Sequence, residues 1–253
     1  CAPSDTNYVY VLCSNTSVTG FFTSTNAGTS WTSNPIPLIY DQNPSPTVEL
    51  SRGQGWYDLS LAVDPDTATI VYAGGVDYVK SRDAGATYNQ ISSWAPGVPG
   101  FNGGQTMHAD QHQMIFKPGN GSFGLFVCDG GIYRSTNLRN LWPTKATFKA
   151  INSGFNVTQF YSCAIDNTVA SNYFLAGAQD NGTSKFGTPG LGASYVAIGG
   201  DGAYCFIDQD NRNNQIGSYI YSRYYRSRDG GTSFSLIGND VNGNFINPCD
   251  LDN

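Results

Sequence analysis

Both histidines of the chain fall within one hexapeptide, His108-Ala109-Asp110-Gln111-His112-Gln113. Side chains on a strand alternate between faces, so a strand here would put His108, Asp110 and His112 on one face. Two imidazoles and a carboxylate can bind a transition metal, exchange protons with a substrate, or satisfy one another as a hydrogen-bonded plug. The plug is the leading reading; the metal set would be His108, Asp110 and His112. Three more carboxylates stand beside glycine, in Cys128-Asp129-Gly130-Gly131, Gln179-Asp180-Asn181-Gly182 and Gly200-Asp201-Gly202. Glycine next to aspartate marks a turn. The same acids could instead bind Ca²⁺, which prefers oxygen ligands, or sugar hydroxyls. Glycoside hydrolysis needs two carboxyl groups about 5 to 9.5 Å apart, and Asp110 with Asp201, or Asp129 with Asp180, are the candidate pairs.

The elements that must position these residues repeat along the chain. Ser227-Arg-Asp229-Gly-Gly231-Thr-Ser-Phe234 matches Ser81-Arg-Asp83-Ala-Gly85-Ala-Thr-Tyr88 and Ser24-Thr-Asn26-Ala-Gly28-Thr-Ser-Trp31, with an eroded copy from Ser135 to Trp142. Each reads as a hairpin turn. Asp or Asn accepts backbone N–H groups one or two residues on, glycine supplies φ > 0, and Trp31, Tyr88 or Phe234 opens the return strand with an apolar side chain for the core.

A second element, an apolar strand end closed by a polar or proline turn, recurs at 61–66, 114–119, 163–168, 205–210 and 249–253. Together the two give a period of about 40 to 50 residues, that of propeller blades rather than helical solenoids. The units run approximately 1–35, 56–95, 108–152, 157–198 and 199–238, with the start of another at 244–253. The first lacks its inner strand. No stretch shows a 3.6-residue apolar period, so the expected class is all-β, in four-stranded antiparallel blades. Aligning the inner strands puts Tyr57, Asp110, Gln159 and Asp201 at one equivalent position. The segment 36–55 is rich in proline and polar residues, longer than a blade link needs, and 93–107 is similar.

The octets resemble the Asp-box, or bacterial neuraminidase repeat, of sialidases, sortilin-type receptors, xyloglucan-degrading hydrolases and many secreted bacterial proteins. That resemblance implies a β-propeller in which the box joins the third and fourth strands of a blade, away from the ligand face. Ser24, Asn26, Gly28, Trp31, Ser81, Asp83, Gly85, Tyr88, Ser227, Asp229, Gly231 and Phe234 are then structural. It also implies that Tyr57, Asp110, Gln159 and Asp201 ring the mouth of a central channel, with His108 and His112 beside them. Over about residues 56–235 the likeness is closer, to secreted bacterial propellers often labelled glycosyl hydrolases on fold alone. A sialidase reading fails on the absent Arg-Ile-Pro motif and on arginines that sit mostly in octet turns.

Composition narrows the partners. Charged residues make up 13% of 253 and net charge is −6, so no basic surface is available for nucleic acid. No run of 18 apolar residues exists. Low charge with abundant aromatic and turn residues suits a secreted or cell-surface protein, and the chain reads as a piece of a longer one with further domains. Cys163, Cys205 and Cys249 take equivalent places in successive units, too far apart for a disulfide, and should be buried thiols. Sequons stand at Asn15, Asn120, Asn156 and Asn181. The expected function is an extracellular module for binding or for surface, matrix or filament assembly, recognising carbohydrate or another protein. The alternative is a glycoside hydrolase working through paired carboxylates. Ca²⁺ or a transition metal is the candidate cofactor.

Overall fold

The computed structural model describes the chain except residues 42, 100, 102–104, 141–144, 156–157, 169, 189–193, 241 and 250–253. It is all-β, with no helix among the described residues. No helix there is long and apolar enough to cross a membrane. The sequon at Asn156 and the octet aromatic Trp142 lie outside the described residues.

Two compact units follow one another, Cys1–Phe155 and Asn156–Asn253. The first unit opens with β1 (Val9–Ser14), β2 (Val18–Ser24) and β3 (Thr32–Asn34), a three-stranded meander without a fourth strand. The segment after it is not a plain loop. It forms a short hairpin, β4 (Leu38–Ile39) with β5 (Val48–Glu49), and buries Ile39 and Leu50 completely. Next comes a four-stranded antiparallel blade, β6 (Ser60–Val63), β7 (Val71–Gly74), β8 (Tyr78–Ser81) and β9 (Asn89–Gln90). A parallel pair, β10 (Ser92–Ser93) and β11 (Gln105–Thr106), leads to the next blade. That blade is β12 (Gln111–Lys117), β13 (Asn120–Cys128), β14 (Gly131–Ser135) and β15 (Lys149–Ala150).

The second unit holds two more such blades. They are β16 (Ser162–Ile165), β17 (Phe174–Ala178), β18 (Gly182–Phe186) and β19 (Tyr195–Ile198), then β20 (Cys205–Ile207), β21 (Gln215–Ser218), β22 (Arg223–Ser227) and β23 (Ser235–Asn239). Every four-stranded sheet pairs its strands in chain order, the up-and-down meander of a propeller blade. No strand forms over 244–249, where one was expected to begin; Asn247 instead closes a turn on Asn244.

Cores lie where sheets face one another. In the first unit Tyr72, Tyr78, Met107, Met114, Phe126 and Leu138 pack between the two complete blades, with edge-on ring contacts such as Tyr78–Phe126 at 5.0 Å. A second cluster joins Ile39 and Leu50 to Val76 and Val79. In the second unit Leu175, Cys205 and Ile207 pack together with Phe234 against them.

The octets join the last two strands of their sheets and are built alike. Ser81 Oγ donates to Asp83 Oδ1 (2.8 Å) and accepts from Gly85 N (2.8 Å), while Thr87 N donates to Asp83 Oδ1 (2.8 Å). Ser227, Asp229 and Gly231 repeat the arrangement, as do Ser24, Asn26 and Gly28. The serines are buried, and Gly28, Gly85 and Gly231 all have φ between 74° and 95°. Tyr88 and Phe234 pack against cores. Trp31 does not: it is 44% exposed and folds back on its own turn, donating through Nε1 to Gly28 O at 3.1 Å. With only three strands its sheet gives the ring less to pack against.

No disulfide forms among the described residues. Cys205 is buried, and burial pushes its thiol up to about 11. Cys249 is half-buried, but Cys163 is exposed, which corrects the expectation of three buried thiols. On β16 only the face carrying Ala164 packs against the core of its unit; Cys163 and Ile165 project from the other.

Candidate functional site

The site in the first unit is assembled from three turns. The first lies between β5 and β6. Glu49 accepts the backbone N–H groups of Val18 (3.1 Å), Ser51 (3.0 Å) and Gly53 (2.7 Å), which ties the hairpin down, and Gln54 O then accepts from both Tyr57 N and Asp58 N. These bonds outweigh the effect of burial and hold the Glu49 carboxyl below its ordinary value. One turn of chain therefore presents Gln54, Trp56, Tyr57 and Asp58.

The second turn is the histidine hexapeptide, and here the strand reading fails. β12 begins only at Gln111, and Asp110 has φ 65°, in the left-handed region. His108, Asp110 and His112 are therefore not successive side chains on one face. Aspartate tolerates this conformation better than most residues. It is fixed by the β7–β8 turn, where Val76 O accepts from Asp110 N and Gly75 O from Gln111 N (2.8 Å). Gln111 is fully buried, its amide donating to His108 O at 2.5 Å.

The third turn, Asp129-Gly130, joins β13 to β14. Gly130 is required by contact: a Cβ there would lie 2.3 Å from the Cβ of His108. Asp129 is the hub. Its Oδ2 accepts from Tyr57 Oη at 2.9 Å, and its Oδ1 lies 2.5 Å from His112 Nε2. The Tyr57 and His112 rings meet edge-on at 5.0 Å, and Trp56 lies 5.6 Å from Tyr57. Trp56 is 73% exposed and Tyr57 42%.

Behind this half-open layer lies fully buried Asp58, reached through half-buried Gln54 and Asp110. Gln54 Nε2 donates to Asp110 Oδ1 (2.5 Å) and to Asp58 Oδ2 (3.2 Å). Asp58 is fully buried, and its Oδ1 has no hydrogen-bond partner. Burial first, and then the neighbouring Asp110 charge, pushes the Asp58 carboxyl up to about 8 against the pull of the Gln54 bond. Asp110 is raised as well, by burial and by the charge of Asp129. One carboxylate oxygen of Asp110 and one of Asp129 lie within 4.8 Å of each other.

Asp58, Gln54 and Trp56 were not among the residues singled out from the sequence. Asp58 aligns with Gln111, and both are fully buried polar residues one step past the position shared by Tyr57 and Asp110. That repeated polar residue ahead of an inner strand was the available signal.

Gln159, Asp180 and Asp201 belong to the second unit. Asp201 Oδ1 accepts from Asp180 N at 3.1 Å, and Tyr219, raised by burial and by the Asp201 charge, packs beside it. A Cβ on Gly202 would meet Gly182 O at 2.3 Å, so the backbone before β20 lies directly on the β17–β18 turn. Gln159 is exposed.

No protein-family model matches the chain, and no curated protein matches it. Among solved structures the chain is similar to the GH74 xyloglucanase from Xanthomonas campestris, with 16% identity and a TM-score of 0.51, over 85% of this chain and 32% of that one. Also found are the GH74 enzyme of Niastella koreensis (18% identity, 93% of this chain and 37% of that one, TM-score 0.39) and YCF48 bound to a D1 peptide (13%, 93% and 80%, 0.34). The chain spans about a third of the length of the xyloglucanase it resembles. The likeness to the Xanthomonas enzyme is one of fold, and with the blade topology it identifies the chain as β-propeller blades.

Proposed function

We propose that this chain is an extracellular propeller module that binds carbohydrate at the Trp56–Tyr57 edge of its first unit. The observation that carries the reading is the exposed Trp56 ring beside Tyr57, whose hydroxyl is already fixed by Asp129. A flat aromatic face takes the C–H surface of a pyranose, and nearby carboxylates and imidazole take its hydroxyls. A propeller of this kind also occurs in a xyloglucanase, so the fold is compatible with carbohydrate. The side chains, not the fold, argue for it.

The test is a glycan array followed by calorimetry on the polysaccharides retained. Trp56→Ala should weaken binding at least tenfold, about 1.4 kcal/mol or more, without loss of folding. An unchanged affinity would remove the site.

A second reading, glycoside hydrolysis, is favoured by one feature. Asp110, with a raised carboxyl, stands within 4.8 Å of Asp129, which is bonded to Tyr57 and His112. Retaining glycosidases place an acid and a nucleophile about 5 to 5.5 Å apart. Asp110 would give its proton to the leaving oxygen as Asp129 attacks the anomeric carbon, and a water deprotonated by Asp110 would then displace Asp129 and release the sugar. Release of reducing ends from plant or algal polysaccharide, abolished in Asp129→Asn, would establish turnover. Binding without release leaves the module reading alone.

A further inference from the structure

Trp56 is anchored through the residues on either side of it. Gly55, before it, is clamped onto the β1–β2 turn at both backbone polar atoms: Ser14 Oγ donates to Gly55 O at 2.6 Å, and Gly55 N donates to Thr16 O at 2.7 Å. The fit leaves no room for a side chain, since a Cβ on Gly55 would lie 2.9 Å from the Cβ of Ser14. Tyr57, after it, is bonded to Asp129 and meets the His112 ring. The exposed Trp56 ring therefore has two fixed neighbours, Asp129 on the Tyr57 side and the Asn15-Thr16 pair on the Gly55 side.

Asn15 and Thr16 are both exposed. At comparable turns of this chain, Asn and Asp side chains close on nearby backbone. Asp5 Oδ1 accepts from Asn7 N (3.0 Å), Asn120 Oδ1 accepts from Ser122 N (3.0 Å), and Asn181 Nδ2 donates to Gln179 O (3.2 Å). Asn15 differs. Its backbone N–H goes to Ser17 O at 3.1 Å, while its side-chain amide and the Thr16 hydroxyl bond to nothing among the described residues. The shape of this turn comes from Ser14, Gly55 and its own backbone, so the two polar side chains are placed beside Trp56 without being consumed by the fold.

We propose that Asn15 and Thr16 form a second subsite next to Trp56, so that the module takes a neutral oligosaccharide across several units and not a single sugar. One pyranose covers the Trp56 ring. The next unit meets an amide and a hydroxyl that can each donate and accept, the match for adjacent sugar hydroxyls. Because the turn is already fixed, little ordering cost is left for binding. At the other end the Asp129 carboxylate, bonded to Tyr57, disfavours uronate or sulfated units. The inference rests on the carbohydrate reading of Trp56 and adds the length and charge class of the ligand.

The experiment puts the full chain, Asn15→Ala, the Asn15→Ala/Thr16→Val double variant and Trp56→Ala on one array of neutral gluco-, manno-, xylo- and galacto-oligosaccharides, from single sugars to hexamers, with uronic-acid oligomers alongside. Calorimetry on the glycans retained gives affinities, and thermal unfolding checks each variant. Wild type should bind neutral oligomers at least tenfold more tightly than the matching single sugar. Asn15→Ala should weaken oligomer binding about fivefold, and the double variant should remove most of the gain with length. Tm should not change in either, since neither side chain makes a bond in the folded chain. Trp56→Ala should weaken oligomers of every length. Binding that does not rise with length, a double variant that binds oligomers like wild type, or a preference for uronic-acid oligomers overturns the subsite and leaves the carbohydrate module standing. No binding of any glycan by wild type overturns both.

Discussion

The octet turns and the three-turn site use the same residue type in opposite ways. In the octets, aspartate carboxylates collect donors. Asp229 accepts from Ser227, Thr232 and Ser233, bonds that hold its carboxyl well below the ordinary range. Asp83 is likewise lowered, its bonds from Thr87 and Ser81 outweighing burial. In the site, fully buried Asp58 and half-buried Asp110 share one amide and are both pushed upward. A turn built for stability completes its hydrogen bonds. A set of acids left incomplete against one another is poised to take a proton, a cation or a substrate hydroxyl.

The largest effect expected from breaking this contrast is on the stable side. Gly85→Ala should destabilise by about 3 kcal/mol, because φ is 95° and a Cβ would lie 2.6 Å from the Phe21 ring and 2.9 Å from the Asn34 amide. Urea unfolding measures it; a loss under about 1 kcal/mol would mean the turn relaxes at little cost. Ser227→Ala comes next. It strands the buried Gly231 N–H, which the Ser227 hydroxyl satisfies at 2.8 Å, and should cost about 2 kcal/mol. The matching change at Ser24 should cost a similar amount if the octets are equivalent.

The pH dependence separates the octet acids from a buried one. Asp83 and Asp229 have folded values below their unfolded ones. Their contribution is full above the unfolded carboxylate range, near about 4, and is lost as pH falls through the folded values. Asp77 is the reverse. Fully buried, it is raised well above its ordinary value by burial, against the bonds from Ser92, Gln90 and the Trp94 backbone N–H. Its contribution is full below the unfolded range and is lost as pH rises toward the folded value. Asp77→Asn should therefore flatten the decline of stability with pH above about 5, and Asp229→Asn should reduce the acid loss. Equal slopes in wild type and Asp77→Asn, from denaturant unfolding across pH, would contradict the assignment.

How far the sequence could be read follows from the same contrast. The blades and octets were legible because their physics is local. Serine, aspartate and glycine at fixed spacing close a turn on themselves, so each copy repeats the others. The β1–β3 meander spans Val9–Asn34, and four complete blades follow it. The site was legible only in part. His112, Asp110, Asp129 and Tyr57 were named, but they are joined through a left-handed Asp110 and a Tyr57–Asp129 bond across 72 residues, and neither has a periodic signal. Asp58 was hidden because its importance lies in what it lacks, a donor for Oδ1, and no spacing reports a missing bond. The hairpin within 36–55 has no periodic signal, because its fully buried residues, Ile39 and Leu50, are separated by a run of proline and polar residues.

The smallest effect tests whether octets with the same turn also share the same packing. Trp31, Tyr88 and Phe234 hold the eighth place in three copies, and sequence treats them alike. Phe234 packs against Leu175, Cys205 and Ile207, so Phe234→Ala should cost about 2 kcal/mol. Tyr88 is edge-on to Phe21 at 5.6 Å, but its buried hydroxyl has no partner. Tyr88→Phe removes that orphan and should be neutral or stabilising by about 1 kcal/mol. Trp31 is 44% exposed and leans on Gly28 of its own turn. Trp31→Ala should cost under about 1 kcal/mol, despite removing the largest of the three rings. Unfolding of the three variants side by side decides the matter. If Trp31→Ala proves as damaging as Phe234→Ala, the ring is buried in solution, and the three-stranded first sheet has a covering that its own strands do not provide.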